Sequence, residues 1–220
     1  MNTTRNIGGA VEQPLSLLRR LIERDRLKNE GPLCEMCGQG IDERHPHVAN
    51  TEKHILLCTC RGCYLLFTNH AANGGKYRSV PDRYLHDPNF MLSEDLWESL
   101  QIPVRMAFLF RNSALDHPAA FYPSPAGTTE STLPLDAWDR LVEACPMVAM
   151  LEPDVEALLI YGGRSAHLEC HLVPIDACYE LSGIVRRNWR GFDGGQQAWS
   201  VIDSFFARIR ERSRAFEVKA

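Results

Sequence analysis

"LCEMCGQGIDERHPHVANTEKHILLCTCRGCYLLF", residues 33–67, holds five of the chain's eight cysteines and three of its eight histidines. Cys34-x-x-Cys37 and Cys60-x-x-Cys63 are two knuckles with 22 residues between them. A Cys-x-x-Cys turn directs two thiolates at one metal, because the backbone between them curls and turns its amides toward the sulfurs. Gly38 follows Cys37 where such a knuckle needs a left-handed residue. Between the knuckles, "HPHVANTEKHILLCT" reads as two short strands joined by Asn50-Thr51-Glu52-Lys53.

This pattern predicts a small zinc-ribbon or rubredoxin-like module whose metal ligands are Cys34, Cys37, Cys60 and Cys63. Cys58 lies two residues before Cys60 and on a strand would point to the same face, so it is either an alternative ligand or a buried thiol beside the site. His45 and His47 share one strand face and form a further candidate pair; His54 is a weaker one. Four thiolates take zinc or a single iron. The second knuckle reads Cys-Arg-Gly-Cys-Tyr where a rubredoxin usually has Cys-Pro-x-Cys-Gly, which favours structural zinc over a redox iron.

The chain has 220 residues, 45% hydrophobic and 24% charged, room for a main domain plus a small module. Its net charge of -4 argues against general nucleic-acid binding. No apolar run approaches the roughly 20 residues that cross a bilayer, and "MNTTRNIGGAVEQP" lacks the apolar centre of a secretory signal. The expectation is a cytoplasmic protein with no membrane partner, where clustered cysteines serve metal or redox chemistry rather than disulfides.

Three segments follow: residues 1–32, a polar tail and an amphipathic helix over 14–28; residues 33–90, the four-cysteine module with a turn-rich connector over the surface; and residues 91–220, a mixed α+β domain with an antiparallel sheet and C-terminal helices. In the last segment Ser93 caps a short helix, "IPVRMAFLF" alternates as a strand with Val104, Met106, Phe108 and Phe110 on one side, and "AAFYPSPAG" reads as an edge strand ended by proline. "LPLDAWDRLVEACP" presents a stripe of Leu135, Trp138, Leu141, Val142 and Cys145. "EALLIYGGRSAHLECHLVPI" reads as a hairpin about Gly162-Gly163. A helix is expected from Asp176, broken by Gly191 to Gly195, and a last one carries Trp199, Ile202, Phe205, Phe206 and Ile209.

No nucleophile elbow, phosphate-binding glycine loop or His-Glu-x-x-His helix occurs. On a regular strand His167, Glu169 and His171 would share a face, a weaker candidate for a second metal site. Arginines from Arg186 to Arg214 make the C-terminal third locally basic, either a solvated face or a surface for an acidic partner.

"CEMCG…RHPHV…LLCTCRGCYLLF", "VPDR", "FYPSPAG" and "LSGIVRRNWRGFDGG" together resemble an uncharacterised bacterial family encoded beside actinobacterial-type, high-affinity nickel–iron hydrogenases. The similarity spans residue 34 to about residue 210. In layout the chain is also similar to a rubredoxin-like protein joined to a hydrogenase assembly chaperone of the HybE type. The resemblance implies a non-catalytic accessory or maturation role in which the partner is a hydrogenase subunit. Trp189, Arg190 and Phe192 are candidate partner contacts, since aromatics and arginine concentrate at interface hot spots. The alternative is an electron-transfer or cluster-protecting protein with mononuclear iron.

Overall fold

The computed structural model describes residues 31–69, 72–113, 118–124, 127–131, 135–162, 167–191 and 194–217. The amphipathic helix expected over 14–28 lies outside them, as do Gly163 and Phe192. The architecture is α+β, a three-stranded ribbon set against a seven-stranded sheet.

In the ribbon, β1 (His47–Asn50) pairs antiparallel with β2 (Ile55–Cys58), and the expected Asn50–Lys53 turn joins them. Asn50 stabilises that turn by accepting from the amides of Glu52 and Lys53 at 3.2 and 3.0 Å. The other side of β1 takes β3 (Tyr77–Ser79). A short helix α1 (Arg61–Leu65) grows out of the second knuckle.

The large sheet has the order β10-β4-β9-β8-β5-β6-β7, with β4 (Leu85–His86), β5 (Met106–Arg111), β6 (Pro118–Ser124), β7 (Gly127–Ser131), β8 (Glu156–Tyr161), β9 (Glu169–Pro174) and β10 (Arg214–Ala215). Pairing is antiparallel throughout except between β10 and β4. The helices are α2 (Glu94–Ser99), α3 (Leu135–Ala144), α4 (Ile175–Asn188) and α5 (Gly195–Arg212). Among the described residues no helix is long and apolar enough to cross a membrane.

Strand alternation divides the core in two. Ala157, Leu159 and Tyr161 of β8 face a cluster completed by α4, α5 and the ribbon residues Ala49 and Val80. Leu158 and Ile160 face a second cluster, which holds Trp97 of α2 and Leu141 of α3. All six β8 residues are buried, which explains why its sequence runs apolar from Ala157 to Tyr161, Glu156 at its start being the exception. Gly162, at the end of β8, has no room for a side chain: a Cβ there would lie 2.7 Å from Leu168 Cδ2.

Four expectations need correction. β6 is not at the edge; β7, a strand not foreseen, takes that place and pairs Thr128 opposite Pro123, while on the other side Pro118 sits opposite Arg111 at the end of β5. The connection in the hairpin is longer than two residues, because β8 ends at Tyr161 and β9 begins at Glu169, its partner in the register. Val104 precedes β5 and packs against the cluster opposite to that of Met106 and Phe108. Finally, the stretch read as a surface connector supplies strands to both sheets and sends Phe90 into the core at 2% exposure.

That stretch also holds Arg83, whose Nε and Nη2 donate to Glu156 Oε1 and Oε2 at 2.8 and 2.5 Å. Glu156 has no exposed side-chain surface, so its charge is tolerable only because Arg83 and the Glu152 amide satisfy it. Arg83→Met should therefore lower stability by about 3 kcal/mol, whereas the pair Arg83→Met, Glu156→Leu should recover much of the loss. Urea unfolding of the three variants beside wild type measures both.

Candidate metal centre

The four knuckle sulfurs, of Cys34, Cys37, Cys60 and Cys63, all lie within 4.8 Å of one another. Cys37 Sγ and Cys60 Sγ are 3.7 Å apart, close to the roughly 3.8 Å edge of a tetrahedron with zinc–sulfur bonds of about 2.3 Å. Cys60, rather than Cys58, completes the group.

Each knuckle is closed by its backbone. In the first, the Gly38 amide donates to Cys34 O at 2.8 Å, with Gly38 at φ 75°, the left-handed conformation its position predicted. In the second, Cys60 is the N-cap of α1 and its sulfur accepts from the Cys63 amide at 3.4 Å. The first knuckle is tied to β2 by Glu35, whose amide donates to Cys58 O at 2.8 Å and whose Oε2 accepts from the Cys58 amide at 2.6 Å.

Four thiols so placed cannot all ionise without a cation. Burial alone would raise the Cys34 thiol, but backbone amides at Cys60, Cys37 and Met36 hold it at about 6. Cys63 is pushed up to about 12, first by its hydrogen bond with Cys37 and then by burial. A metal ion reverses this by neutralising the cluster, so the donor set fits a divalent ion bound by four thiolates. Binding must then release protons. Apparent affinity should fall as pH is lowered, by about tenfold per pH unit for each proton released, as measured by chelator competition across pH.

Cys58 groups instead with His45 and His47. His54 is exposed in the ribbon turn at φ 52°. Trp189 is 7% exposed and faces the core, its ring 5.9 Å from that of Trp199. Arg190 is exposed and its amide donates to Gly194 O, closing the turn between α4 and α5.

His167, Glu169 and His171 do not form a ligand group among the described residues. His167 is exposed and precedes β9, and Glu169 is held bidentately by Arg210, with Nε to Oε2 at 2.8 Å and Nη2 to Oε1 at 2.7 Å. Arg208 and Arg212 are likewise paired, with Glu180 and Asp82. The basic run on α5 is thus largely neutralised within the chain.

Partial burial would raise the Glu169 carboxyl, but the His171 ring and the Arg210 guanidinium hold it at about 2. Its folded value lies below an unfolded value of about 4.3, so its contribution is present above that pH and is lost as pH falls toward 2. Glu169→Gln should cost on the order of 1–3 kcal/mol at pH 7, and the difference from wild type should close by about pH 2. Paired urea titrations across pH test this.

No curated protein and no solved structure matches the chain. A family profile described as a family of unknown function, DUF5947, matches residues 33–213, from the residue before the first knuckle to the end of α5. That span takes in the ribbon, the thiol cluster and the whole large sheet up to its last short strand, and the chain belongs to this family.

Proposed function

We propose that the protein is a non-catalytic accessory factor for the assembly of a nickel–iron hydrogenase, with structural zinc in the Cys34, Cys37, Cys60 and Cys63 site and a surface that holds an immature hydrogenase subunit. The observation that carries the reading is the convergence of four sulfurs within 4.8 Å. With every coordination position taken by protein, zinc there stabilises the fold and has no open position for catalysis.

The apolar side chains around the knuckles support a binding role. Leu33 precedes the first knuckle, and Leu65 and Leu66 follow the second; they are 41, 51 and 66% exposed. A folding requirement alone does not explain three exposed leucines beside a metal site, whereas a protein partner does. The choice of a hydrogenase subunit rests on the resemblance carried by the knuckles, "VPDR", "FYPSPAG" and "LSGIVRRNWRGFDGG".

The test is metal analysis of protein purified without oxygen, joined to co-expression with hydrogenase subunits. Colourless protein with tightly held zinc, loss of folding in the Cys37→Ser, Cys60→Ser variant, and co-purification of one subunit are expected. The Leu65→Asp, Leu66→Asp variant should keep its zinc and lose at least tenfold in subunit recovery, since two apolar contacts are worth about 1.4 kcal/mol or more. Iron with thiolate bands that bleach on reduction would replace this reading with electron transfer.

A further inference from the structure

The ribbon carries a second set of ligand atoms that the four-thiol centre does not use. His47 and Cys58 are directly opposed in the register of β1 and β2, and His45, two residues before His47 and ahead of the strand, joins them. One ring nitrogen from each histidine and Cys58 Sγ lie within 4.8 Å of one another. The two rings meet edge to face, with centroids 4.9 Å apart.

The hydrogen bonds prepare both rings for a cation. His45 Nδ1 is 2.8 Å from the carbonyl oxygen of Asp42. A carbonyl can only accept, so Nδ1 carries the proton and Nε2 keeps its lone pair. That Nε2 is buried and has no hydrogen-bond partner. His47 Nδ1 is 2.9 Å from Asp176 Oδ2 in the first turn of α4, so Nδ1 is the nitrogen engaged with the carboxylate and Nε2 is the one left to face a ligand. A histidine whose Nδ1–H is held by a carbonyl or carboxylate is the usual arrangement around a metal, because the bond fixes both tautomer and ring direction.

We propose that His45, His47 and Cys58 form a second, open-sided site for a divalent transition ion of the zinc class, with Asp176 as the positioning residue for His47. Two imidazoles and a thiolate satisfy three positions of a tetrahedral ion, and closing the set from 4.8 Å to the roughly 3.3–3.6 Å ligand spacing needs only small side-chain rotations. His45 and His47 line a cavity of about 890 Å³, the side from which water or a small anion would supply the fourth ligand. Arg61 stands in the same wall, as do Arg208 and Arg212 with their partners Glu180 and Asp82. Because Asp176 belongs to α4 and the histidines to the ribbon, the ion would clasp the two parts of the fold. The site depends on none of the four knuckle sulfurs.

The test uses the full chain, stripped of metal, refolded with cobalt(II) and titrated with zinc, with stoichiometry and the cobalt spectrum as readouts. Wild type should take two equivalents with separable affinities. His45→Ala and Cys58→Ser should each lose the weaker one, the second also losing its thiolate band, and both should keep the tetrathiolate cobalt spectrum. Asp176→Asn should weaken the second equivalent by roughly 10–100-fold. Should one variant fold poorly, which loss of the tetrathiolate spectrum reports, the other decides. A single equivalent in wild type, or a second that survives both His45→Ala and Cys58→Ser, overturns the proposal. Loss of the first equivalent would count against the tetrathiolate reading alone.

Discussion

Holding four thiols at one point is the constraint on which the ribbon depends. Neither side chain burial nor strand pairing is extensive enough there to offset such a cost: β1 and β2 have four residues each, and β2 has none that is fully buried. The β1–β2 pair alone would be marginal in water, and β3 adds only three residues to it. The thiols are split, with Cys34 at about 6 and Cys63 pushed up to about 12, and a cation among them would balance the charge that their ionisation creates. A metal bound by these four thiolates would couple its binding to the folding of the ribbon.

Ion pairs tie the part before residue 90 to the rest of the molecule, most with the carboxylate on the larger part and one, Asp82 with Arg212, in the opposite sense. His47, Arg78 and Arg83, all before residue 90, meet Asp176, Asp154 and Glu156, all in the larger part. Asp154 and Glu156 are 7% and 0% exposed, so these are partly buried contacts rather than surface pairs. Such pairs are poor sources of net stability but expensive to mismatch, and they fix the one orientation in which every carboxylate is met. The apolar contribution comes from Ala49, Val80 and Tyr84, which join the cluster beneath α4 and α5. Polar contacts thus define the register of the joint, and apolar ones stabilise it.

What the sequence reveals follows from how local each signal is. The knuckles, the Asn50–Lys53 turn, the Ser93 cap and the α5 stripe depend on neighbours within a few residues, and each is found where the pattern places it. The errors lie where partners are distant. β4 is two residues long and exists only because β9 and β10 flank it, so no periodicity announces it. β7, "GTTES", is polar because it closes the sheet edge, and polar residues carry no burial signal. Arg83 could not be matched to Glu156, 73 residues away, by any pattern of spacing. Glu169 looked like a ligand because its strand parity was right, but parity says nothing about an arginine arriving from α5.

The tripeptide Cys58-Thr59-Cys60 shows how one strand end can serve two places. Alternation alone would aim both cysteines at one face. The strand stops at Cys58, whose amide is held by Glu35 and whose position is pinned opposite His47. Thr59 is then buried, with its amide and hydroxyl both donating to Pro46 O at 3.0 and 2.9 Å. With that double anchor the chain can turn, and Cys60, at φ -72° and ψ 162°, becomes the cap from which α1 starts. Its sulfur faces the Cys63 amide and the other knuckle, while Cys58 stays with the histidines. A small hydroxyl side chain between two cysteines is thus what separates a closed thiol cluster from the imidazole-rich face beside it.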